Sequence, residues 1–443
     1  MIGKWTDGCL SFWSSTIGNE KLLSKQRDLS ETIIVSGYWY ICIQTHEVEL
    51  MIYLDNNATT QVDAEVLKEM LPYFSQHFGN ASSKSHAPGW IAEEAVKIAR
   101  EKVGTLLNVH PRDIVFTSGA TESVNLAIKG VFDRYQTKGN HIITYQTEHK
   151  AVLDTCAALE GRGASVTYLP VDRDGLPDLK ILEDAIRPDT ILVSAMWANN
   201  ETGVVMPVQE IGQICAKKDV LFFSDGTQAV GKIPVDPLAC GIHLLAFSAH
   251  KMYGPKGVGG LYVCSKQPRV RLTPLLDGGG HERGFRSGTL NVPGIVGLGK
   301  ACEIAGQRLD ADFIKWEKWR NALERSLIDQ MEYCFVNGAN APRLPNVSNI
   351  SFKHVEGERL MLSFNQKMAV SSGSACTSAS LDPSHVLNAM GLSDDEAHGS
   401  IRFSFGRFNR EEEIDEAIQL TLTGVNKLRS GSQIWKLFLE SRK

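Results

Sequence analysis

The segment FSAHKMYGPKG, residues 247–257, carries an apolar stretch into Ser248, His250 and Lys251 and then into a turn rich in Gly and Pro. A lysine at the end of an apolar strand, beside groups that bind phosphate, can carry a Schiff base, because partial desolvation favours the neutral amine. A surface lysine next to a histidine would present the same letters. Asp225 closes a second apolar stretch, FFSDGTQ at 222–228. A carboxylate set against a pyridine nitrogen keeps such a ring protonated and makes it an electron sink, but an acidic residue there also serves as a helix cap. In FTSGATES, 116–123, Gly119 and the hydroxyls of Ser118 and Thr121 lie where a strand turns into a helix, at Ala120. The N–H groups and dipole of a helix start attract phosphate without a basic residue; an ordinary capping turn uses the same residues. His149, in QTEHKAV at 146–152, is placed to stack on a planar ring and move protons, or to cap the helix that follows.

Each of these four signals is ambiguous alone. Together they supply phosphate donors, a ring stacker, a partner for a pyridine nitrogen and a Schiff-base amine, which is the set pyridoxal phosphate requires. Two further segments stand apart. AVSSGSACTSAS, 369–380, places Cys376 in a run of small residues, where a reactive thiol is a better reading than a core hydrophobe. SIRFSFGRF, 400–408, sets Arg402 on a short alternating strand opposite Phe403 and Phe405. An arginine so held can grip a carboxylate with two hydrogen bonds, and a structural salt bridge would look the same in sequence.

The elements that must position these groups are legible as alternating patterns. Apolar runs at 114–117, 141–145, 166–169, 190–196, 220–224, 244–247 and 259–263 read as strands, separated by helical spacings. Strands apolar on consecutive positions belong to a mostly parallel sheet covered on both faces, whose ligands lie beyond the carboxyl ends of the strands. Before the sheet, Ile91, Ala95, Ile98, Ala99, Val103 and Leu106 recur at helical spacing between Ser85 and Asn108, with Pro88 in the first turn. After Gly284 the pattern changes to a long helix over 292–331, strands near 347–352 and 368–371 and a helix near 411–427, which describes a smaller α+β domain.

A chain of 443 residues is long enough for one large domain and a smaller one. With 43% apolar and 22% charged residues and a net charge of -5, no nucleic-acid or membrane surface is indicated. The nine cysteines are dispersed without a CxxC pair, as free thiols in a reducing compartment would be. No stable metal site is expected. The apolar run Ile33–Ile43 is too short to span a bilayer, and acidic residues around it fit neither a secretory signal nor a transit peptide. Residues 1–50 are therefore read as an appendage, disordered or translated from an upstream start, with Met51 as the natural beginning of the fold.

The strings YLDNNATT (53–60), FTSGATES, TEHKAVLDTC, NNETGV (199–204), SAHKMYGPKG, GGGHERGFRSGT (278–289), SSGSACTS and IRFSFGRF resemble those of cysteine desulfurases of the iron–sulfur-cluster-assembly and nitrogen-fixation branch. The resemblance is continuous from Ile52 to about Phe438. It implies an α/β fold, the pyridoxal-phosphate-dependent transferase fold type I, as a cytoplasmic homodimer. A large domain at 61–306 would hold a mostly parallel seven-stranded sheet; 51–60 and 307–443 would form the small domain carrying the cysteine loop.

The same resemblance implies that Lys251 holds the cofactor, Asp225 meets its ring nitrogen, and Gln228 and Asn200 lie near its phenolic oxygen. Asn200 and Arg402 would hold the carboxylate of L-cysteine. Ala120, Thr121, Ser248 and His250 would contact the phosphate, joined by Thr289 of the other subunit. With the released Lys251 amine or His149 moving the α proton, sulfur would pass to Cys376 as a persulfide and then to acceptor proteins such as an iron–sulfur scaffold, where Cys376 would also transiently ligate a cluster on the partner. Three departures matter: residues 1–50 have no counterpart; Gly226 replaces the usual alanine, which should loosen that turn; and the chain stops at Lys443, where scaffold-docking relatives often continue. Another fold-type I activity, aminotransferase or selenocysteine lyase, would share Lys251 and Asp225 without needing Cys376. A sulfur carrier or regulatory partner would need none of this machinery.

Overall fold

The computed structural model describes residues 51–266, 268–372 and 383–442, together with the backbone of two strands, Thr32–Val35 and Tyr38–Ile41. Residues Met1–Leu50 and Met51–Lys443 are separate compact units. In the first, the two strands pair antiparallel, Thr32 opposite Ile41 and Val35 opposite Tyr38, so the apolar run noted in the sequence folds back on itself there.

The second unit is organised around a seven-stranded sheet. Its spatial order is Ile114–Thr117, Gly259–Val263, Leu244–Ser248, Leu221–Asp225, Thr190–Ser194, His141–Tyr145, Ser165–Leu169. Gly259–Val263 runs antiparallel to both neighbours and the other pairings are parallel. Six of the seven strands are buried along their whole length, which is why they read as unbroken apolar runs rather than alternating ones. Phe222, Phe223, Leu244, Leu245 and Phe247 are wholly buried, and each such side chain contributes about 1.5–3 kcal/mol.

The helix Ala87–Leu106 begins with His86 as its cap and Pro88 in its first turn, where the missing N–H costs nothing. Its buried face is Ala92, Ala95, Val96, Ala99 and Val103, whereas Ile91 and Ile98 are exposed. The apolar spacing therefore overlays two faces: the small residues pack inward and the isoleucines face out.

The helix Val292–Gln330, 39 residues long, extends about 58 Å at the usual rise. Its first half packs Ile295, Leu298 and Ile304 into the core of the large sheet. Its second half packs Trp316, Trp319, Leu323 and Leu327 into another core with Ile350, Phe352, Ile401, Phe403 and Phe405. That second core backs a four-stranded antiparallel sheet ordered Cys334–Val336, Val347–Phe352, Ser400–Ser404, Ser371–Ser372. Ile52–Tyr53, at the start of this unit, pairs in parallel with Met368–Ala369 as a separate two-stranded sheet, and Ile52 and Met368 are buried in the same second core.

Candidate active site

The carboxyl ends of the large sheet open into a cavity of about 640 Å³. Twelve residues singled out from the sequence line it: Ser118, Gly119, Ala120, Thr121, His149, Asn200, Asp225, Gln228, Ser248, His250, Lys251 and Arg402. Thr289 does not line it and is exposed. Cys376 lies outside the described residues.

One end of the cavity is a helix start. Gly119 precedes the helix Ala120–Tyr135 with no side chain capping its N–H groups, so these donors remain available to an anion. A Cβ at Gly119, with φ +155°, would lie 3.8 Å from Ser248 Oγ; the approach of strand end to helix start leaves an open cradle. Glu122, in the same first turn, would repel an anion. Its carboxylate is instead tied to Arg286 at 2.9 Å and to the Ser118 N–H at 2.7 Å. His250 meets Thr59 Oγ1 through Nδ1 at 3.1 Å. Burial, reinforced by Lys251, Lys256 and Lys232, pushes its imidazole down to about 4, so it offers a neutral ring near pH 7.

Asp225 ends its strand only 6% exposed, and its Oδ1 accepts the Thr227 N–H at 2.9 Å. Beside it, Thr227 Oγ1 is buried without a hydrogen-bond partner among the described residues, which leaves a polar atom for a bound molecule to satisfy. The neighbouring Glu148 is wholly buried, and burial, followed by the charge of Asp225, raises its carboxyl well above the ordinary range. Its carboxyl is therefore biased toward the protonated form. His149 caps the helix Lys150–Glu160, its Nδ1 accepting the Ala151 N–H at 3.1 Å. With Nδ1 committed as acceptor, the neutral ring carries its proton on Nε2. His149 thus both caps a helix and lines the cavity.

Lys251 Nζ donates to the carbonyls of Asn57 and Ala58, each at 2.7 Å. Arg402 is 2% exposed; its guanidinium donates to the Asn200 carbonyl at 3.0 Å and to Asp55 Oδ1 at 2.7 Å, while Nε has no partner among the described residues. Gly226 does not loosen the turn after Asp225: its N–H is tied to the Ala246 carbonyl at 2.9 Å, and a Cβ there would lie 2.7 Å from Leu245 Cδ1. The glycine answers a close approach, not a need for freedom.

An open cradle at a helix start, a buried carboxylate beside an unsatisfied hydroxyl, and an amine lining the same cavity fit pyridoxal phosphate. The sequence between Ile52 and residue 417 matches the aminotransferase class-V family model. The chain belongs to the class-V aminotransferase family. Among other class-V proteins, it is 55% identical over 390 residues to cysteine desulfurase IscS of Anaeromyxobacter dehalogenans, covering 88% of this chain and 96% of that one. A solved NifS-like protein superposes with a TM-score of 0.78 at 39% identity, covering 86% of this chain and 99% of the other. SspA in complex with cysteine superposes with a TM-score of 0.71 at 37% identity, covering 81% and 100%.

Several groups at this class-V site were not singled out from the sequence. Asn57 and Thr59 line the cavity from YLDNNATT, and Asp55 in the same string pairs with Arg402. Buried Glu201, from NNETGV, accepts from Ser384 Oγ. Burial pushes the Glu201 carboxyl up to about 7 against the opposing pull of Ser384, Arg402 and His149. Lys232, in QAVGK, is 3% exposed. The available signal was a charged residue inside an otherwise apolar or small-residue string, which is costly unless a partner awaits it.

Proposed function

We propose that the chain is a cysteine desulfurase, which takes the sulfur of L-cysteine, releases L-alanine and holds the sulfur on Cys376 as a persulfide. The observation that carries this reading is the meeting of Lys251, Asp225 and Arg402, from distant stretches of chain, around one cavity. The likeness to cysteine desulfurase IscS over 88% of the chain supports it.

Pyridoxal phosphate would be held covalently by Lys251, at its ring nitrogen by Asp225, near its phenolic oxygen by Gln228 and Asn200, and across its ring by His149. Ala120, Thr121, Ser248 and His250 would take its phosphate, with the partner subunit's Thr289. When bound, it supplies an electron sink for the pair left on the substrate Cα.

Arg402 and Asn200 fix the substrate carboxylate, so that the Cα–H faces Lys251. The Lys251 amine, released when the substrate amine displaces it, takes the Cα proton as general base. His149, whose proton sits on Nε2, acts as the complementary donor. The Cys376 thiolate then attacks the substrate Sγ: a sulfur–sulfur bond forms, the Cβ–S bond breaks, and the carbon fragment keeps the bonding pair and is reprotonated to alanine.

The persulfide passes to acceptor proteins, an iron–sulfur scaffold among them, in the cytoplasm. The enzyme works as a homodimer; the exposed Phe74, Phe78, Trp90, Ile91 and Ile98 offer an apolar surface for a second copy. Mass spectrometry of the holoenzyme after incubation with L-cysteine tests the proposal. Cys376 should gain one sulfur as alanine appears. Alanine release with an unmodified Cys376 thiol, or undiminished turnover in Cys376→Ala, refutes it in favour of a lyase or aminotransferase that does not use the thiol.

A further inference from the structure

Lys232 is a lysine where lysines are rarely found. It is 3% exposed, and the charges acting on it, Lys251 and Arg402, are both positive, so that burial first and these cations second push its amine well below the ordinary range. Such a group persists only where its hydrogen bonds are made. Nζ donates to Gln228 Oε1 at 2.6 Å and to Asn57 Oδ1 at 2.9 Å.

Those two contacts determine which end of each amide points where. Gln228 Oε1 is committed to Lys232, and its Nε2 donates to the Asn57 carbonyl at 2.9 Å. Asn57 Oδ1 takes Lys232 and also Asn346 Nδ2 at 3.1 Å, which leaves Asn57 Nδ2 to donate to the Asn200 carbonyl at 3.2 Å. The Asn200 carbonyl also accepts from Arg402, and the Asn57 carbonyl also accepts from Lys251. Every bond in this chain runs from donor to acceptor with consistent polarity. Reversing the Gln228 amide would set its NH₂ against the amine of Lys232 and its oxygen against a carbonyl.

We infer that Lys232 is a positioning residue: by donating to Gln228 and Asn57 it locks the Gln228 amide so that an N–H, not an oxygen, is presented to the cavity. Resting on the pyridoxal-phosphate reading above, this makes Lys232 the origin of the donor that Gln228 would offer to the cofactor's phenolic oxygen. It acts through Gln228, not on the cofactor itself. A donor there stabilises the ionised oxygen and lowers the pH at which the visible absorbance of the bound cofactor titrates.

The test is a pH titration of that absorbance in holoenzyme reconstituted with pyridoxal phosphate, in a double-mutant cycle. Lys232→Met should raise the midpoint by about one pH unit, the size of one hydrogen bond to a charged group. In a Gln228→Ala background, Lys232→Met should add no further shift. A yellow Lys232→Met enzyme with an unchanged midpoint overturns the inference, as does an equal shift in both backgrounds, which would mean that Lys232 acts by its charge alone. Colourless wild-type protein after reconstitution would overturn the cofactor reading instead. Should Lys232→Met fail to fold, neutron diffraction of the wild-type holoenzyme decides. Deuterons on a Gln228 nitrogen facing Asn57 and the cavity are expected, and a Gln228 oxygen facing the cavity overturns the proposal.

Discussion

Replacing Asp225 by Asn changes almost nothing but one donor–acceptor relation. The Oδ1 that accepts the Thr227 N–H at 2.9 Å survives in the amide, and the shape of a side chain only 6% exposed is preserved. What changes is the second oxygen, which becomes an amino group and can no longer accept from a protonated ring nitrogen. A charge-assisted hydrogen bond in such a setting contributes up to about 3 kcal/mol, so kcat/KM for alanine release from L-cysteine should fall roughly 150-fold while the cofactor stays bound. Glu148 does not make up the loss: burial, the first cause that raises its carboxyl, remains when the charge of Asp225 is removed, so Asp225→Asn with Glu148→Gln should lose no more than Asp225→Asn alone. The assay is alanine release at fixed enzyme, with bound cofactor counted by visible absorbance. A yellow Asp225→Asn enzyme within about threefold of wild type would refute the reasoning, because uniform binding losses of that size are under 1 kcal/mol.

Arg402→Lys keeps the charge but loses the planar fork that reaches both Asn200 and Asp55; KM for cysteine should rise about 100-fold with the cofactor spectrum unchanged, checked by steady-state kinetics. Gly226→Ala would bring a Cβ to 2.7 Å from wholly buried Leu245. It should cost about 1–3 kcal/mol in denaturant unfolding, recovered in part by Leu245→Val. Glu201 titrates near 7 when folded against 4.5 ordinarily. A carboxyl raised on folding stabilises fully below its unfolded value and loses that contribution as pH rises toward the folded one. The stability of wild type relative to Glu201→Gln should therefore fall by about 3 kcal/mol between acid and neutral pH, read from urea melts across that range.

The large sheet was legible because buried parallel strands need apolar residues on both faces. Ile114–Thr117, His141–Tyr145, Gly259–Val263 and Val347–Phe352 have the bounds their runs of letters suggest. That Gly259–Val263 runs antiparallel was not legible, since strand direction is set by the connection and not by local composition. Nor does spacing tell which apolar positions of a helix turn inward, as exposed Ile91 and Ile98 show. Residues at a strand end or just past it, such as Asp225 and Lys251, announce themselves by position. Lys232, Asn57, Asp55 and Glu201 do not, because their partners lie up to 347 residues away and such pairs exist only after folding.

In the proposed enzyme one amine, Lys251 at the mouth of the large sheet, holds the cofactor. Borohydride reduction of holoenzyme, followed by proteolysis and peptide mass mapping, measures it directly. A single pyridoxyl adduct on Lys251 is expected. An adduct on Lys232 or Lys256, or none in protein that was yellow before reduction, would contradict it.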